Sequence, residues 1–163
     1  MTFWRVVVDT GHITVSILFL ILSANIYSRM LAMSGLPQYT SELIGQAGLG
    51  LMGFMTAYVL LLIIMGMVLD SVSIMLIILP LALPVVVGLG GDLVWFGIVS
   101  VVVIEIGLLT PPVGLTCYVV KSSLDDPDIT LGDIFQGAFP FVLIMLAVTV
   151  PLVLVPKLSL MFV

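Results

Sequence analysis

Gly107-Leu-Leu-Thr-Pro-Pro-Val-Gly114 is the stretch whose reading decides the fold. It lies within hydrophobic sequence, where two adjacent prolines are hard to accommodate. Proline has no N–H and cannot extend a helix ladder. Pro111 and Pro112 therefore leave the carbonyls of Gly107 and Leu108 without their usual donors four residues on. Residues before a proline are pushed out of the α region, so Thr110 and Pro111 are expected to be extended. Gly107 and Gly114 give freedom at either end. The pattern predicts a helix that stops before the octet and restarts after it. In a bilayer, such backbone is tolerated where protein buries it or where it lines a watery cavity. Freed carbonyls beside the Thr110 hydroxyl suit a hard cation; a plain loop between two spans is the other reading.

The surroundings of the octet fix the class. Hydrophobic residues make up 62% of the 163 and charged residues 8%, against about 25% charged in soluble domains. Mean hydropathy is +1.42. Residues 43–69 and 134–156 carry no charge over 27 and 23 positions, each more than the roughly 20 residues a helix needs to cross hydrocarbon. Continuous apolar runs, rather than period-two alternation, favour helices over a β-barrel. The expectation is an all-α polytopic membrane protein embedded in a lipid bilayer.

Four Lys and Arg against nine Asp and Glu leave no basic patch, so nucleic acid is excluded as an expected partner. The single cysteine, Cys117, excludes an intrachain disulfide and a multi-cysteine metal site. Neither a nucleophile–base pair nor a phosphate loop is present, and no enzymatic activity is expected. Gly48-Leu-Gly-Leu-Met-Gly53 matches a dinucleotide-binding pattern, but no preceding strand is possible here. Small residues for close helix packing are the better account of Gly45, Gly48, Gly50 and Gly53.

Along the chain, residues 12–30 read as a first span, bounded by Arg5 and Asp9 before it and Arg29 at its end, and residues 34–42 as a break with a polar connection. Asp70 closes the next apolar run. An ionisable residue at membrane depth is a functional candidate, as is Glu105. Pro80 and Pro84 should kink or break the run 71–91, and Gly88-Leu-Gly-Gly-Asp92 is a turn into water. The arms of the octet, 94–106 and 113–121, reach about 20 Å and 14 Å as helix, short of a hydrocarbon core near 30 Å. A re-entrant hairpin over 94–121 fits these lengths, and a kinked span remains open. Residues 122–133 form an acidic loop in which Thr130 and Asp133 have helix-capping character. Residues 134–156 form a last span, bent near Pro140 and Pro151.

Gly66-Met-Val-Leu-Asp70, the Pro80 and Pro84 run, residues 88–97, Gly107-Leu-Leu-Thr-Pro-Pro-Val-Gly-Leu115 and Gly137-Ala-Phe-Pro-Phe141 together resemble the large permease subunit of TRAP (tripartite ATP-independent periplasmic) transporters. The resemblance implies a sodium-coupled elevator transporter of the bacterial inner membrane. It would import an organic acid, such as a C4-dicarboxylate or a sialic acid, delivered by a periplasmic binding protein. A small membrane subunit would complete the complex, with Na⁺ as coupling ion and no other cofactor. Inverted repeats in that family each supply a re-entrant hairpin. Length suggests that residues 1–163 are the C-terminal half of such a subunit and need the missing N-terminal half as partner. Carried over by motif, the sodium ligands are backbone oxygens at Gly66, Gly107, Thr110 and Val113. Leu108, Pro111, Pro112 and Gly114 complete the hairpin tip, and Asp70 and Glu105 are ion-linked or structural candidates. A truncated, non-transporting assembly subunit or relic is the alternative, and a channel using the loop as a filter is a third.

Overall fold

A computed structural model describes residues 3–46, 48, 50–124, 126 and 128–161. Leu49 of the glycine-rich motif and Asp125 and Pro127 of the acidic loop lie outside them. The described residues form eight helices: α1 (Phe3–Met33), α2 (Leu36–Gln46), α3 (Leu51–Gly66), α4 (Ser71–Gly88), α5 (Leu93–Leu109), α6 (Leu115–Ser123), α7 (Leu131–Leu154) and α8 (Lys157–Leu160). Three of them, α1, α4 and α7, are long and apolar enough to cross a membrane. With apolar side chains such as Phe19, Leu60 and Phe141 more than half exposed on their outer faces, this is an all-α polytopic membrane protein.

Several boundaries differ from the sequence expectation, each for a local reason. α1 starts at Phe3, not near residue 12, because nothing between them breaks a helix; Arg5 and Asp9 lie along it rather than before it. The connection expected at 38–42 is helical. α2 runs through it, with Pro37 in its first turn, where a missing N–H costs nothing. The uncharged run 43–69 is not one helix, since it is interrupted between Gln46 and Leu51 where Gly48 takes φ +66°. Gly45 at the end of α2, Gly48 in the turn and Gly50 before α3 have nothing within 4 Å of a would-be Cβ, so none of the three makes a close helix contact. α4 continues through Pro80 and Pro84, and α7 through Pro140 and Pro151.

Other expectations hold. Gly88–Asp92 is a turn with Gly90 at φ +75°. Asp92 Oδ1 then caps α5, accepting from the backbone N–H of Val94 at 2.8 Å and of Trp95 at 3.0 Å. Thr130 and Asp133 form a reciprocal capping box at the start of α7.

The core is built around α5, which packs on α3, α4 and α7. Trp95, Phe96, Val99, Val103 and Ile104 are buried against Met55, Tyr58 and Leu62 of α3 and Ile74 and Val86 of α4. On the α7 side, the Trp95 indole N–H donates to the Leu152 carbonyl at 2.6 Å. That carbonyl has lost its helical donor because residue 156 is proline. The tryptophan therefore satisfies an acceptor that the helix itself leaves open. α3 and α5 run parallel, since Tyr58 faces Ser100 and, further along both helices, Gly66 faces Gly107.

Candidate functional site

α3 ends at Gly66 and α5 at Leu109, and the two ends lie side by side. A Cβ on Gly66 would stand 2.8 Å from the Gly107 Cα, and a Cβ on Gly107 would stand 2.7 Å from the Gly66 Cα. Only glycine permits this, because ordinary carbon contacts begin near 3.5 Å. Both glycines are buried. The sequence-predicted pair Gly66 and Gly107, 41 positions apart in the numbering, is thus brought into backbone contact.

At the end of α3 the turn N–H groups fold back onto earlier carbonyls. Met67 N–H donates to Ile63 at 3.1 Å, while Val68 and Leu69 donate to Met65 at 3.0 and 2.9 Å. Among the described residues no such backbone bond reaches the Gly66 carbonyl. Asp70 then caps α4, its carboxylate accepting from the Ser73 N–H at 3.0 Å and from the Ser73 hydroxyl. The carboxylate is therefore engaged in starting α4.

The octet departs from expectation in one respect: Gly107, Leu108 and Leu109 remain helical. A proline removes the bond to the carbonyl four residues back, but the backbone before it can stay in register until the residue it crowds. That residue is Thr110, extended at φ −97°, ψ 135° as expected. Its N–H donates to the Gly107 carbonyl at 3.0 Å, replacing the donor lost at Pro111, and its hydroxyl donates to Ile106. The Leu108 carbonyl, whose donor is lost at Pro112, receives no backbone N–H among the described residues. Leu109 accepts a long contact from the buried Cys117 thiol at 3.9 Å. The Pro111–Pro112 bond is cis, and Gly114 takes φ +53° before α6.

The tip is seated on α7. Gly114 lies against the Phe135 ring so closely that any Cβ would overlap it. Leu109, Thr110 and Pro111 face Phe135, Gln136, Phe139 and Val142 across a cleft of about 250 Å³. Val113, by contrast, is exposed and lines a separate groove with Tyr118 and Ser122. Glu105 is exposed, and two positions before Gly107 on a helix turns it about 200° from the Gly66 contact. Of the predicted residues, Gly66 and Gly107 are brought into contact, Leu108 and Thr110 follow Gly107 along the chain with Thr110 facing α7, Val113 lies on the exposed side of the tip, and Glu105 is turned outward. Among the described residues no group of three His, Cys, Asp or Glu side chains forms a metal site.

Sequence reasoning missed the buried Tyr58–Ser100 hydrogen bond linking α3 to α5. Two hydroxyls within apolar runs were the signal.

These features define a class: a multi-pass membrane protein whose polar backbone is concentrated where broken helices meet. Residues 2–158 match the family described as tripartite ATP-independent periplasmic transporter, DctM component, and the chain belongs to that family. It is 31% identical over 156 residues to the C4-dicarboxylate TRAP transporter large permease protein of Pseudomonas aeruginosa, covering 96% of this chain and 36% of that protein. The corresponding protein of Rhodobacter capsulatus is 36% identical, with 96% and 35% covered. A sialic acid TRAP transporter large permease protein of Vibrio cholerae is 25% identical, with 98% and 36% covered. The chain therefore spans about a third of the length of these relatives, not half as expected. The matches do not support placing it in their C-terminal half, and that assignment is withdrawn.

Proposed function

We propose that this chain forms the ion-binding part of a sodium-coupled TRAP permease of the bacterial inner membrane. The observation that carries the reading is the pairing of two parallel helix C-termini at Gly66 and Gly107. Each such end bears a partial negative charge of about half a unit from its open carbonyls. Side by side in low dielectric, two such ends repel one another, and a hard cation between them relieves the repulsion. The Gly66 and Leu108 carbonyls, with the lone pairs of the Gly107 carbonyl and Thr110 hydroxyl, supply oxygen ligands of the kind Na⁺ takes. The Val113 backbone oxygen, beyond the two prolines, remains the outlying member of the candidate set.

Lengths support a re-entrant α5–α6 hairpin: the 17 residues of α5 and nine of α6 reach about 25 Å and 14 Å, each short of a 30 Å core. In this reading the cargo is an organic acid. The relatives' printed names include C4-dicarboxylate and sialic acid transporters. A periplasmic binding protein delivers it, a small membrane subunit completes the complex, and the rest of the permease supplies the remaining site. Ion and cargo are coupled because both order the same helix ends.

The test is uptake of a labelled organic acid into liposomes holding the complete permease complex and its binding protein. An inward Na⁺ gradient should drive accumulation, and Thr110→Ala should weaken the Na⁺ dependence. Equal uptake after replacing Na⁺ with choline would refute sodium coupling. Wild-type Na⁺ activation in Thr110→Ala would remove that hydroxyl from the ligand set.

A further inference from the structure

Between α3 and α5 the core holds one polar pair that the proposed ion site does not use. Tyr58 Oη and Ser100 Oγ are 2.9 Å apart, and the two residues are 4% and 0% exposed. The Ser100 hydroxyl donates to the Phe96 carbonyl at 2.7 Å, so the proton between the pair comes from the phenol. Phe54 and Phe96 flank the Tyr58 ring, with centroids 5.9 and 4.8 Å away. Towards the helix ends the seam continues through aliphatic side chains, among them Leu62, Val103 and Ile104.

Aliphatic contact is non-directional and tolerates sliding. A hydrogen bond is not so tolerant: it weakens steeply with distance and angle, and a one-residue slip along a helix is about 1.5 Å. The glycine contact lets the helix ends approach but supplies no attraction of its own. Tyr58 and Ser100 stand about two turns before Gly66 and Gly107, with spacings that keep them on the same helix faces.

We propose that the Tyr58–Ser100 hydrogen bond is a register lock that holds the ends of α3 and α5 level, making both residues positioning residues for the paired carbonyls. Its consequence for sodium rests on the function proposed above; its consequence for helix register does not. Two readouts on the intact permease in membranes separate them. One is the half-saturating Na⁺ concentration for uptake. The other is the rate at which N-ethylmaleimide alkylates Cys117, read by peptide mass. Cys117 is 2% exposed and packs on the Leu109 carbonyl at the end of α5.

Tyr58→Phe keeps the ring and leaves Ser100 bonded to Phe96. It should raise half-saturating Na⁺ by about three- to ten-fold with maximal uptake unchanged, the range expected for losing one interhelical bond in a membrane. Alkylation of Cys117 should accelerate by a similar factor. Ser100→Thr, which keeps a hydroxyl, should restore both values to wild type, and Ser100→Ala should not. Wild-type alkylation of Cys117 in both Tyr58→Phe and Ser100→Ala overturns the proposal, as does failure of Ser100→Thr to differ from Ser100→Ala. Sodium-independent uptake by the wild type would defeat the sodium reading alone, leaving the alkylation rates to decide the lock.

Discussion

Gly107→Ala is the substitution that probes the site most directly. The added methyl would stand 2.7 Å from the Gly66 Cα and 2.8 Å from the Ile63 carbonyl oxygen, both backbone atoms that no rotamer change can move aside. Restoring an ordinary contact near 3.5 Å requires α3 and α5 to part by almost 1 Å. Overpacking of this kind costs about 1–3 kcal/mol. If that cost falls on the ion-competent arrangement alone, it corresponds to roughly 5- to 150-fold weaker Na⁺ activation, at tenfold per 1.4 kcal/mol. Gly97→Ala is the matched control on the same helix, because its Cβ meets nothing within 4 Å. That change should leave transport intact and even favour the helix, by up to about 1 kcal/mol. Both variants would be compared by Na⁺-titrated uptake in proteoliposomes at equal protein density. Equal Na⁺ curves for Gly107→Ala and Gly97→Ala would refute the idea that this backbone contact matters to the site.

Trp95→Phe strands the Leu152 carbonyl that Pro156 leaves without a donor, and should lower thermal stability in detergent by about 1–3 kcal/mol; Trp95→Phe unfolding with the wild type would show the bond contributes nothing. Asp70→Ala removes the cap of α4 and should cost about 1 kcal/mol, with Asp70→Asn close to wild type in the same melt. A loss of Na⁺ affinity in Asp70→Asn without a stability change would instead make the carboxylate charge an ion ligand. Gly114→Ala combines positive φ with overlap on the Phe135 ring. It should reduce uptake strongly, and adding Phe135→Leu should recover part of the loss, whereas strict additivity would mean the ring is not the obstacle.

Much of the fold was legible where one local rule governs. The uncharged runs gave the membrane class, residues 88–92 announced a turn, Thr130 and Asp133 announced a helix start, and Pro111 with Pro112 announced a break. Boundaries were harder, since a rule can be satisfied in two ways. Pro37 ends nothing because it sits where a helix begins, and α5 runs into the octet because the prolines crowd Thr110 rather than Gly107. Charges misled at α1, where Arg5 and Asp9 ride on the helix instead of bounding it. The site was only partly legible. Motif likeness named Gly66 and Gly107, but their contact and the Tyr58–Ser100 bond join residues about 40 apart, and no periodicity within one helix reports a neighbour on another. Glu105 was singled out for its charge, yet its position on α5 turns it away from the paired helix ends.

The parallel seating of α3 against α5 also has a consequence for synthesis. Parallel neighbours cannot be consecutive; α4 must first carry the chain back across the bundle. The two halves of the contact therefore leave the ribosome about 40 residues apart, or roughly 2–8 s at ordinary elongation rates. Throughout that interval α3 presents its bare Gly66 face with no companion. Whatever shelters nascent membrane segments must hold α3 until α5 arrives, so slowing translation across α4 should endanger this protein more than slowing it across α7.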